Sequence, residues 1–309
     1  MTENSVLTPQ EVADILKIAK NTVYELIKRG ELNAYKVGKK VRVDLQDLED
    51  YKNKTKKSAR QFLEPKSAYP ETVKSRGFII SGQDILLDVL VRHLNDQPYN
   101  LETLRSHEGS YNGLYALYQD RVQAASAHLW DGDTGEYNVP YVKRMLPGVP
   151  AVIFRLAGRT QGFYVPKGNP LGISTWEDFK RPGLTIINRE KGSGARVLLD
   201  EHLKKLGVFG KMIKGYENEC ASHLAIASTV ARGEVDLGIG NEKASLQVNE
   251  IDFIPLQPEK YDLIFKKENL NEPPFKAVLE ILRSRAFKLE LEGIGGYDLT
   301  ETGKMVAET

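Results

Sequence analysis

The chain has 309 residues, of which 41% are hydrophobic and 28% charged, with a formal net charge of +1. This composition is typical of a globular protein with two or three domains and excludes a low-complexity or strongly basic chain. We predict a cytoplasmic protein without a membrane partner, because no segment approaches a membrane span, no secretory signal is apparent, and the single cysteine, Cys220, excludes an internal disulfide.

The first fifty residues contain the signals of a small helical module followed by a hairpin. Thr8-Pro9-Gln10-Glu11 combines a hydroxyl cap, a proline at the first helical position and a glutamate that closes a capping box. A second cap is predicted at Asn21-Thr22, before a short helix that runs to Gly30. Residues 35–43 predict two strands around a Gly-Lys-Lys turn, and Asp44 is expected to cap a third helix. This order is that of a winged helix-turn-helix, which makes DNA the first expected partner.

Charge is unevenly distributed along the chain. Residues 1–60 contain 13 Lys and Arg against 9 Asp and Glu, an excess of +4, whereas the remainder carries −3. The positive excess therefore lies where DNA contact is predicted.

Four segments of this module, 7–13, 21–24, 26–32 and 34–38, resemble the excisionase/MerR-type helix-turn-helix. The resemblance covers about residues 5–53 and implies that the second helix enters the major groove while the hairpin contacts the DNA backbone. Its implied base contacts are Lys20, Asn21, Thr22 and Tyr24, with Lys28 as a further DNA contact. Its implied phosphate contacts are Lys36, Lys39, Lys40 and Arg42. The alternatives are a solvated charged face or a protein-interaction module.

The sequence predicts three regions. Residues 1–53 form the DNA-binding domain, residues 54–75 form a polar, basic, proline-marked linker, and residues 76–309 form a ligand domain. In the last region short apolar runs alternate with amphipathic helices, which predicts α/β architecture with parallel sheets. The predicted strands are 77–81, 101–105, 122–127, 149–156, 184–187 and 235–239, and the predicted helices are 84–94, 110–118, 195–206 and 222–232.

Small and hydrogen-bonding residues follow four of these strands, where ligands of such sheets bind. Free amides and the positive end of a helix dipole at such positions suit an oxyanion. The four segments are 81–84, 107–110, 188–196 and 238–241. Neutralising charge is available from Arg159, Arg189, Lys191, Arg196, His107 and His128, although nearby acids offer these arginines purely structural pairing instead.

A resemblance to the type II periplasmic-binding-protein fold is carried by residues 81–84, 108–114, 127–129, 136–138, 188–189, 192–196, 223–225, 233–238 and 261–263. More narrowly they resemble the cytoplasmic molybdate-binding-protein-like domain, over about residues 76–290. The resemblance implies two lobes, the first from about 76–156 and 255–309 and the second from about 160–252, with crossings near Gly158 and Ile254.

The same resemblance implies a molybdate or tungstate ligand. Because several arginines and histidines are present, a larger anion such as molybdenum cofactor stays an alternative. The predicted ligand contacts are Ser81, Gly82, Gln83, Gly109, Ser110, His128, Arg159, Gly192, Ser193, Gly194 and Arg196.

The sequence gives little support for an enzyme. It lacks a nucleophile elbow around Ser193, a phosphate-binding P-loop and metal-ligand spacing among its five histidines and Cys220. We therefore predict no catalytic residue, no catalytic cofactor and no metal site. The favoured function is a one-component transcription regulator that binds its operator as a homodimer or higher oligomer and senses a small oxyanion. The alternatives are a transport receptor and an enzyme or carrier of molybdopterin metabolism.

Overall fold

The structure is a computed structural model that describes residues 6–38, 40–52 and 77–309. The chain divides into two compact units, Met1–Val73 and Lys74–Thr309. The predicted linker and Lys39 lie outside the described residues.

The amino-terminal unit has the predicted helix-turn-helix and hairpin. Its helices are α1 (Pro9–Leu16), α2 (Lys20–Lys28) and α3 (described over residues 45–52), and its strands are β1 (Val6–Leu7), β2 (Tyr35–Val37) and β3 (Lys40–Asp44). The strands form a sheet in the order β1-β3-β2, in which β1 was not predicted. Val12, Val23, Leu32 and Leu48 are fully or almost fully buried between helices and sheet.

The predicted start of α1 is confirmed, whereas that of α2 is wrong. The Glu11 amide donates to the Thr8 hydroxyl at 3.3 Å, and the Thr8 amide donates to the Glu11 carboxylate at 2.7 Å. Helix α2 instead begins one residue before Asn21, after Ala19, and has no side-chain cap. Asn21 therefore lies in the first helical turn with its side chain exposed.

The larger unit is built on one mixed, curled sheet. Its described strands are β4 (Phe78–Ser81), β5 (Thr103–Ser106), β6 (Ala124–Ala127), β7 (Ala151–Pro166), β8 (Ile186–Arg189), β9 (Glu219–Cys220), β10 (Leu237–Asn241), β11 (Ile251–Lys266) and β12 (Met305–Glu308). Their order is β5-β4-β6-β11-β7-β10-β8-β9, and β12 pairs with β7. The described helices are α4 (Ile85–Asn95), α5 (Ser110–Tyr118), α6 (Val139–Met145), α7 (Gly194–Leu206), α8 (His223–Ala231), α9 (Glu242–Ser245), α10 (Pro273–Arg283) and α11 (Arg285–Ile294).

Two long strands connect the lobes. Strands β7 and β11 have 16 residues each and pair antiparallel along their lengths, with register shifts between Pro255 and Gln257 and between Tyr261 and Asp262. The predicted crossings at Gly158 and Ile254 fall inside these strands. The expectation of separate parallel sheets is therefore corrected, because β7 and β11 join the parallel strands of both lobes into one sheet.

Each lobe has its own apolar core. In lobe I, α4, α10 and α11 cover the sheet through side chains such as Leu90 and Phe275. In lobe II, α7 packs Leu199 against Phe163 and Phe179. This packing places the first turns of α4, α5, α7 and α8 at the seam between the lobes.

Candidate ligand cleft and DNA-contact face

A cavity with a volume of about 40 Å³ lies between the two lobes. Its walls come from strand ends and helix starts of both lobes, as the parallel-strand rule predicts. The lining residues are Gly82, Gln83, Asp84, Glu108, Gly109, Ser110, Ser126, His128, Arg159, Arg189, Ser193, Gly194, His223, Asn241 and Tyr261.

The amino ends of α5 and α7 meet at this cavity. Helix α5 begins at Ser110 after Gly109, and α7 begins at Gly194 after Ser193, whose hydroxyl accepts the Arg196 amide at 3.3 Å. In the described part of the chain, the amides of Ser110, Asn112, Gly194 and Ala195 have no hydrogen-bond partner. Unpaired first-turn amides and the positive ends of two helix dipoles favour an anion at this point.

The lobes are in contact, and glycines permit that contact. The Tyr111 amide of lobe I donates to the Gly192 carbonyl of lobe II at 2.9 Å. A Cβ on Gly109 would lie 2.8 Å from the Gly192 carbonyl oxygen, and a Cβ on Gly194 would lie 2.4 Å from the His128 ring. The structure is therefore a closed conformation in which side chains at these two glycines would push the lobes apart.

The cleft arginine Arg159 is fully neutralised by buried carboxylates. Its guanidinium pairs with Asp84 and Glu259 and lies over the Tyr261 ring, 4.0 Å from the ring centre. Asp84 also accepts the Tyr297 hydroxyl at 2.5 Å. Because both acids are already engaged, Arg159 positions the cleft wall and supplies little net positive charge to a ligand.

Glu259 also contacts His128, which lines the cleft. The His128 Nδ1 atom lies 2.7 Å from a Glu259 carboxylate oxygen. Burial by itself would raise the pKa of Glu259, but the Arg159 guanidinium and His128 outweigh it and lower the pKa to about 2. Glu259 is therefore ionised at neutral pH.

Arg189 is the arginine that keeps donor capacity for a ligand. Its Nε donates to Glu190 at 2.7 Å, and its Nη2 donates to Gln83 at 2.6 Å. Among the described residues, Nη1 donates to no protein acceptor. The Arg189 side chain is buried and lines the cleft.

A second contact between the lobes lies at α7. The ring of His202 on α7 stacks between Trp130 of lobe I and Trp176 of lobe II, with centroid distances of 4.4 and 3.8 Å. His202 also lies 2.8 Å from the Gln257 side chain, and burial lowers the pKa of its imidazole. This aromatic stack holds the closed lobes together away from the cavity.

Eight of the eleven predicted contacts line the cavity: Gly82, Gln83, Gly109, Ser110, His128, Arg159, Ser193 and Gly194. The other three lie outside the lining and are corrections. Ser81 is fully buried beneath the cleft, and its hydroxyl has no hydrogen-bond partner within the described parts of the chain. Gly192 forms the seam through its carbonyl, and the Arg196 guanidinium stacks over Tyr216 while pairing with Asp200 and Glu219.

Several residues that line the cavity were not among the eleven predicted ligand contacts. Asp84, Glu108, Arg189 and Asn241 lay in the segments singled out after strands, but their side-chain directions depend on the tertiary fold. Ser126 lies near the end of β6, His223 begins α8 shortly after β9, and Tyr261 lies inside β11. A strand end and a helix start are the signals for Ser126 and His223, whereas no such local signal points to Tyr261.

The predicted DNA contacts on α2 share one exposed face. Lys20, Asn21, Thr22, Tyr24 and Lys28 are all exposed, whereas Val23 and Leu26 face the core. Neither lysine has an acid within 4.0 Å in the described chain. In the hairpin, Lys36 and Lys40 are exposed, whereas Arg42 is half-buried and donates to the Val41 carbonyl at 3.0 Å.

Residues 6–38, 40–52 and 77–309 lack the features of a metal centre and of a membrane-spanning helix. No group of three or more His, Cys, Asp or Glu side chains there is arranged to hold a metal ion. No helix in those ranges is long and apolar enough to cross a membrane.

Comparison with known proteins identifies the same two domains. The PBP superfamily domain profile matches residues 91–283, and a helix-turn-helix domain profile matches residues 6–56. Among solved structures, a putative phosphate ABC transporter substrate-binding protein from Clostridium perfringens aligns with a TM-score of 0.52 at 14% identity, over 72% of this chain and 99% of that one. An OxyR mutant from Corynebacterium glutamicum aligns with a TM-score of 0.51 at 12% identity, over 93% of this chain and 89% of that one. These likenesses show the fold.

Two relatives are similar in sequence. The Bacillus subtilis protein YvgK is 45% identical over the full length of both chains. A Clostridium pasteurianum protein encoded in the 5′ region of a ferredoxin gene is 61% identical over 36% of this chain and 99% of its own. With its two lobes joined by paired strands and an interlobe cleft, this chain belongs to the PBP superfamily and carries a helix-turn-helix DNA-binding domain at its amino end.

Proposed function

We propose that the protein is a one-component transcription regulator that binds an operator through α2 and the hairpin and senses a small tetrahedral oxyanion in the interlobe cleft. A DNA-binding domain and a ligand-binding domain in one chain support a regulator. The observation that carries the choice of ligand is the meeting of two helix amino ends with unpaired amides at a small buried cavity.

The size of the cavity supports a ligand of only a few atoms. One water needs roughly 10–15 Å³ of such volume. A cavity of about 40 Å³ therefore suits a tetrahedral oxyanion, a class that includes the molybdate and tungstate expected from the sequence.

The charge distribution also supports an anion held mainly by neutral donors. Arg159 is neutralised by Asp84 and Glu259, and Nη1 of Arg189 has no acceptor among the described residues. Backbone amides and the Ser110 and Ser193 hydroxyls would then bind most of the oxyanion oxygens, without a desolvated cation for each negative charge.

The alternative ligand, molybdenum cofactor, has fused rings and does not fit a cavity of 40 Å³. A larger hollow of about 750 Å³ is lined by Lys143, Arg155 and Lys260 among others. There, however, Arg155 pairs with Asp262, and Lys260 lies 3.7 Å from Glu301. We therefore favour the small oxyanion over a cofactor sensor or a carrier of molybdopterin metabolism.

The test combines ligand binding and DNA binding in the full-length protein. A thermal-shift screen at constant ionic strength would compare molybdate, tungstate, sulfate, phosphate and arsenate. A bound oxyanion at 100 times its Kd should stabilise the protein by about 2.7 kcal/mol. Gel retardation of the DNA upstream of its own gene, with and without that oxyanion, should show a change in affinity. If no oxyanion produces a thermal shift, the proposal of an oxyanion ligand is wrong. If the protein does not specifically retard this DNA, the proposal of a transcription regulator is wrong.

We further propose a homodimer, because a single small helix-turn-helix recognises only one half-site. Sedimentation of the protein with an operator fragment should give two protomers per DNA. One protomer per DNA would contradict this proposal.

A further inference from the structure

Glu108 is a carboxylate in the cleft that pairs with no cation among the described residues. Glu108 is half-buried and lines the cavity. Its carboxylate accepts a hydrogen bond from the Ser106 hydroxyl at 3.1 Å. Among the described residues, no Lys, Arg or His nitrogen lies within 4.0 Å of it, in contrast to Asp84, Glu190 and Glu259. Glu108 therefore offers an acceptor to whatever occupies the cavity.

His223, the first residue of α8, offers a second acceptor in the same cavity. Burial and the positive charge of Arg189 hold the pKa of its imidazole well below the ordinary value, so the ring is neutral. In the described part of the chain, the Nδ1 atom of His223 is buried and has no hydrogen-bond partner. A neutral imidazole has one donor nitrogen and one acceptor nitrogen. In the tautomer with the hydrogen on Nε2, the Nδ1 lone pair is an unsatisfied acceptor in the cavity wall.

These acceptors lie among donors that already suit oxyanion oxygens. A ligand without a hydrogen to donate would leave His223 Nδ1 unsatisfied and would place its negative charge beside Glu108. A ligand that both accepts and donates hydrogen bonds satisfies the whole lining. At neutral pH, phosphate and arsenate retain a proton, whereas molybdate, tungstate and sulfate do not.

We infer that the cleft selects a protonated tetrahedral oxyanion of the phosphate and arsenate class, with Glu108 accepting its hydroxyl hydrogen and His223 Nδ1 available as a second acceptor. This inference rests on the proposed function and narrows it. Glu108 is then the residue that determines specificity against proton-free dianions. An amino-acid zwitterion would also bring donors, but the cavity of about 40 Å³ leaves little room for one.

The experiment measures Kd for five oxyanions by isothermal titration calorimetry on the full-length protein at pH 7 and fixed ionic strength. Phosphate and arsenate should bind at least about tenfold more tightly than sulfate, molybdate and tungstate. Binding of no oxyanion would overturn the proposed function itself. Molybdate, tungstate or sulfate binding as tightly as phosphate would leave that function intact and overturn this inference. Glycine binding in place of all five would overturn both.

A matched pair of variants tests the role of Glu108. In Glu108→Gln, the side-chain amide can donate to an unprotonated oxygen, so the phosphate-to-sulfate preference should fall at least about tenfold or reverse. Glu102→Gln removes a charge from an exposed side chain outside the cleft and should leave the preference unchanged. Melting temperatures without ligand verify that both variants fold. An unchanged preference in a folded Glu108→Gln protein would overturn the role of Glu108.

Discussion

The DNA-contact face of the amino-terminal unit and the ligand cleft of the larger unit differ in how their charged side chains are exposed and paired. On α2, Lys20 and Lys28 are exposed and have no acidic partner in the described chain, so their charges are available to a large polyanion. In the cleft, Arg159 is buried and balanced by Asp84 and Glu259. Binding through exposed charges weakens steeply with salt, whereas a buried site depends on preorganised dipoles and responds weakly. Salt dependence should therefore separate the DNA face from the ligand cleft.

The largest effect is expected from breaking the buried ion cluster. Arg159→Leu leaves Asp84 and Glu259 without their cation, and removing one partner of a buried pair costs about 3–5 kcal/mol. Urea denaturation measures this as a fall in the free energy of unfolding. Arg29→Gln is the surface control, since Arg29 lies 3.9 Å from Glu31 with both side chains exposed, and it should change stability by less than about 0.5 kcal/mol. Equal losses of stability from the two substitutions would contradict the difference between buried and exposed ion pairs.

Acid should remove part of the stability that this cluster gives. The pKa of Glu259 is lowered to about 2 in the folded protein, so its contribution is present above the unfolded pKa near 4.5 and is lost as pH falls toward 2. Glu259→Gln lacks this contribution. The difference in unfolding free energy between wild type and variant should therefore shrink by roughly 1–3 kcal/mol between pH 5 and pH 2. A difference that stays constant over this range would show that Glu259 is not held ionised.

The next largest effect is expected from a substitution that hinders closure of the lobes over the cleft. Gly194→Ala places a Cβ 2.4 Å from the His128 ring, so closure requires that His128 leave Glu259. Affinity for the best oxyanion should fall at least about tenfold, which corresponds to about 1.4 kcal/mol. Gly293→Ala on α11 adds a Cβ with no atom within 4 Å and is the matched control. Titration calorimetry measures the oxyanion affinity of both variants. Equal affinities would mean that oxyanion binding does not require closure of the lobes at Gly194.

The smallest expected effect lies on the DNA face. Lys20→Ala with Lys28→Ala should weaken operator binding, and each lost phosphate contact should reduce the slope of log affinity against log salt by about one. Oxyanion affinity should not change. Lys276→Ala, on α10 of the other unit, removes an exposed lysine as control. Fluorescence anisotropy over a salt series measures the slope, and an unaltered slope would place α2 away from DNA phosphate.

The sequence predicted the elements well where local chemistry is decisive. The capping box of Thr8 and Glu11 and the bounds of α5 follow from residue type and apolar spacing. It failed at the long strands β7 and β11, because the pairing that joins the lobes links residues about 100 positions apart. No local pattern contains that information.

For the candidate cleft, the sequence located backbone positions better than it located side-chain directions. The strand-end segments around Gly82, Gly109 and Ser193 reach the cavity. Arg196 had suitable chemistry in the sequence, yet on α7 it points to Tyr216 and Asp200. The acceptor roles of Glu108 and His223 were not foreseeable, since they depend on which neighbouring charges the fold leaves unpaired.

The aromatic stack across the lobes makes this chain its own spectroscopic probe. The sequence contains two tryptophans, and both flank His202, one from each lobe. Separation of the lobes would take Trp130 away from the His202 ring and expose its indole to water, whereas Trp176 keeps His202 and Phe179 of its own lobe. The Trp130 emission would therefore shift to longer wavelength without any attached dye. Intrinsic fluorescence recorded while the protein is rapidly mixed with ligand therefore gives the rate at which the two lobes open and close.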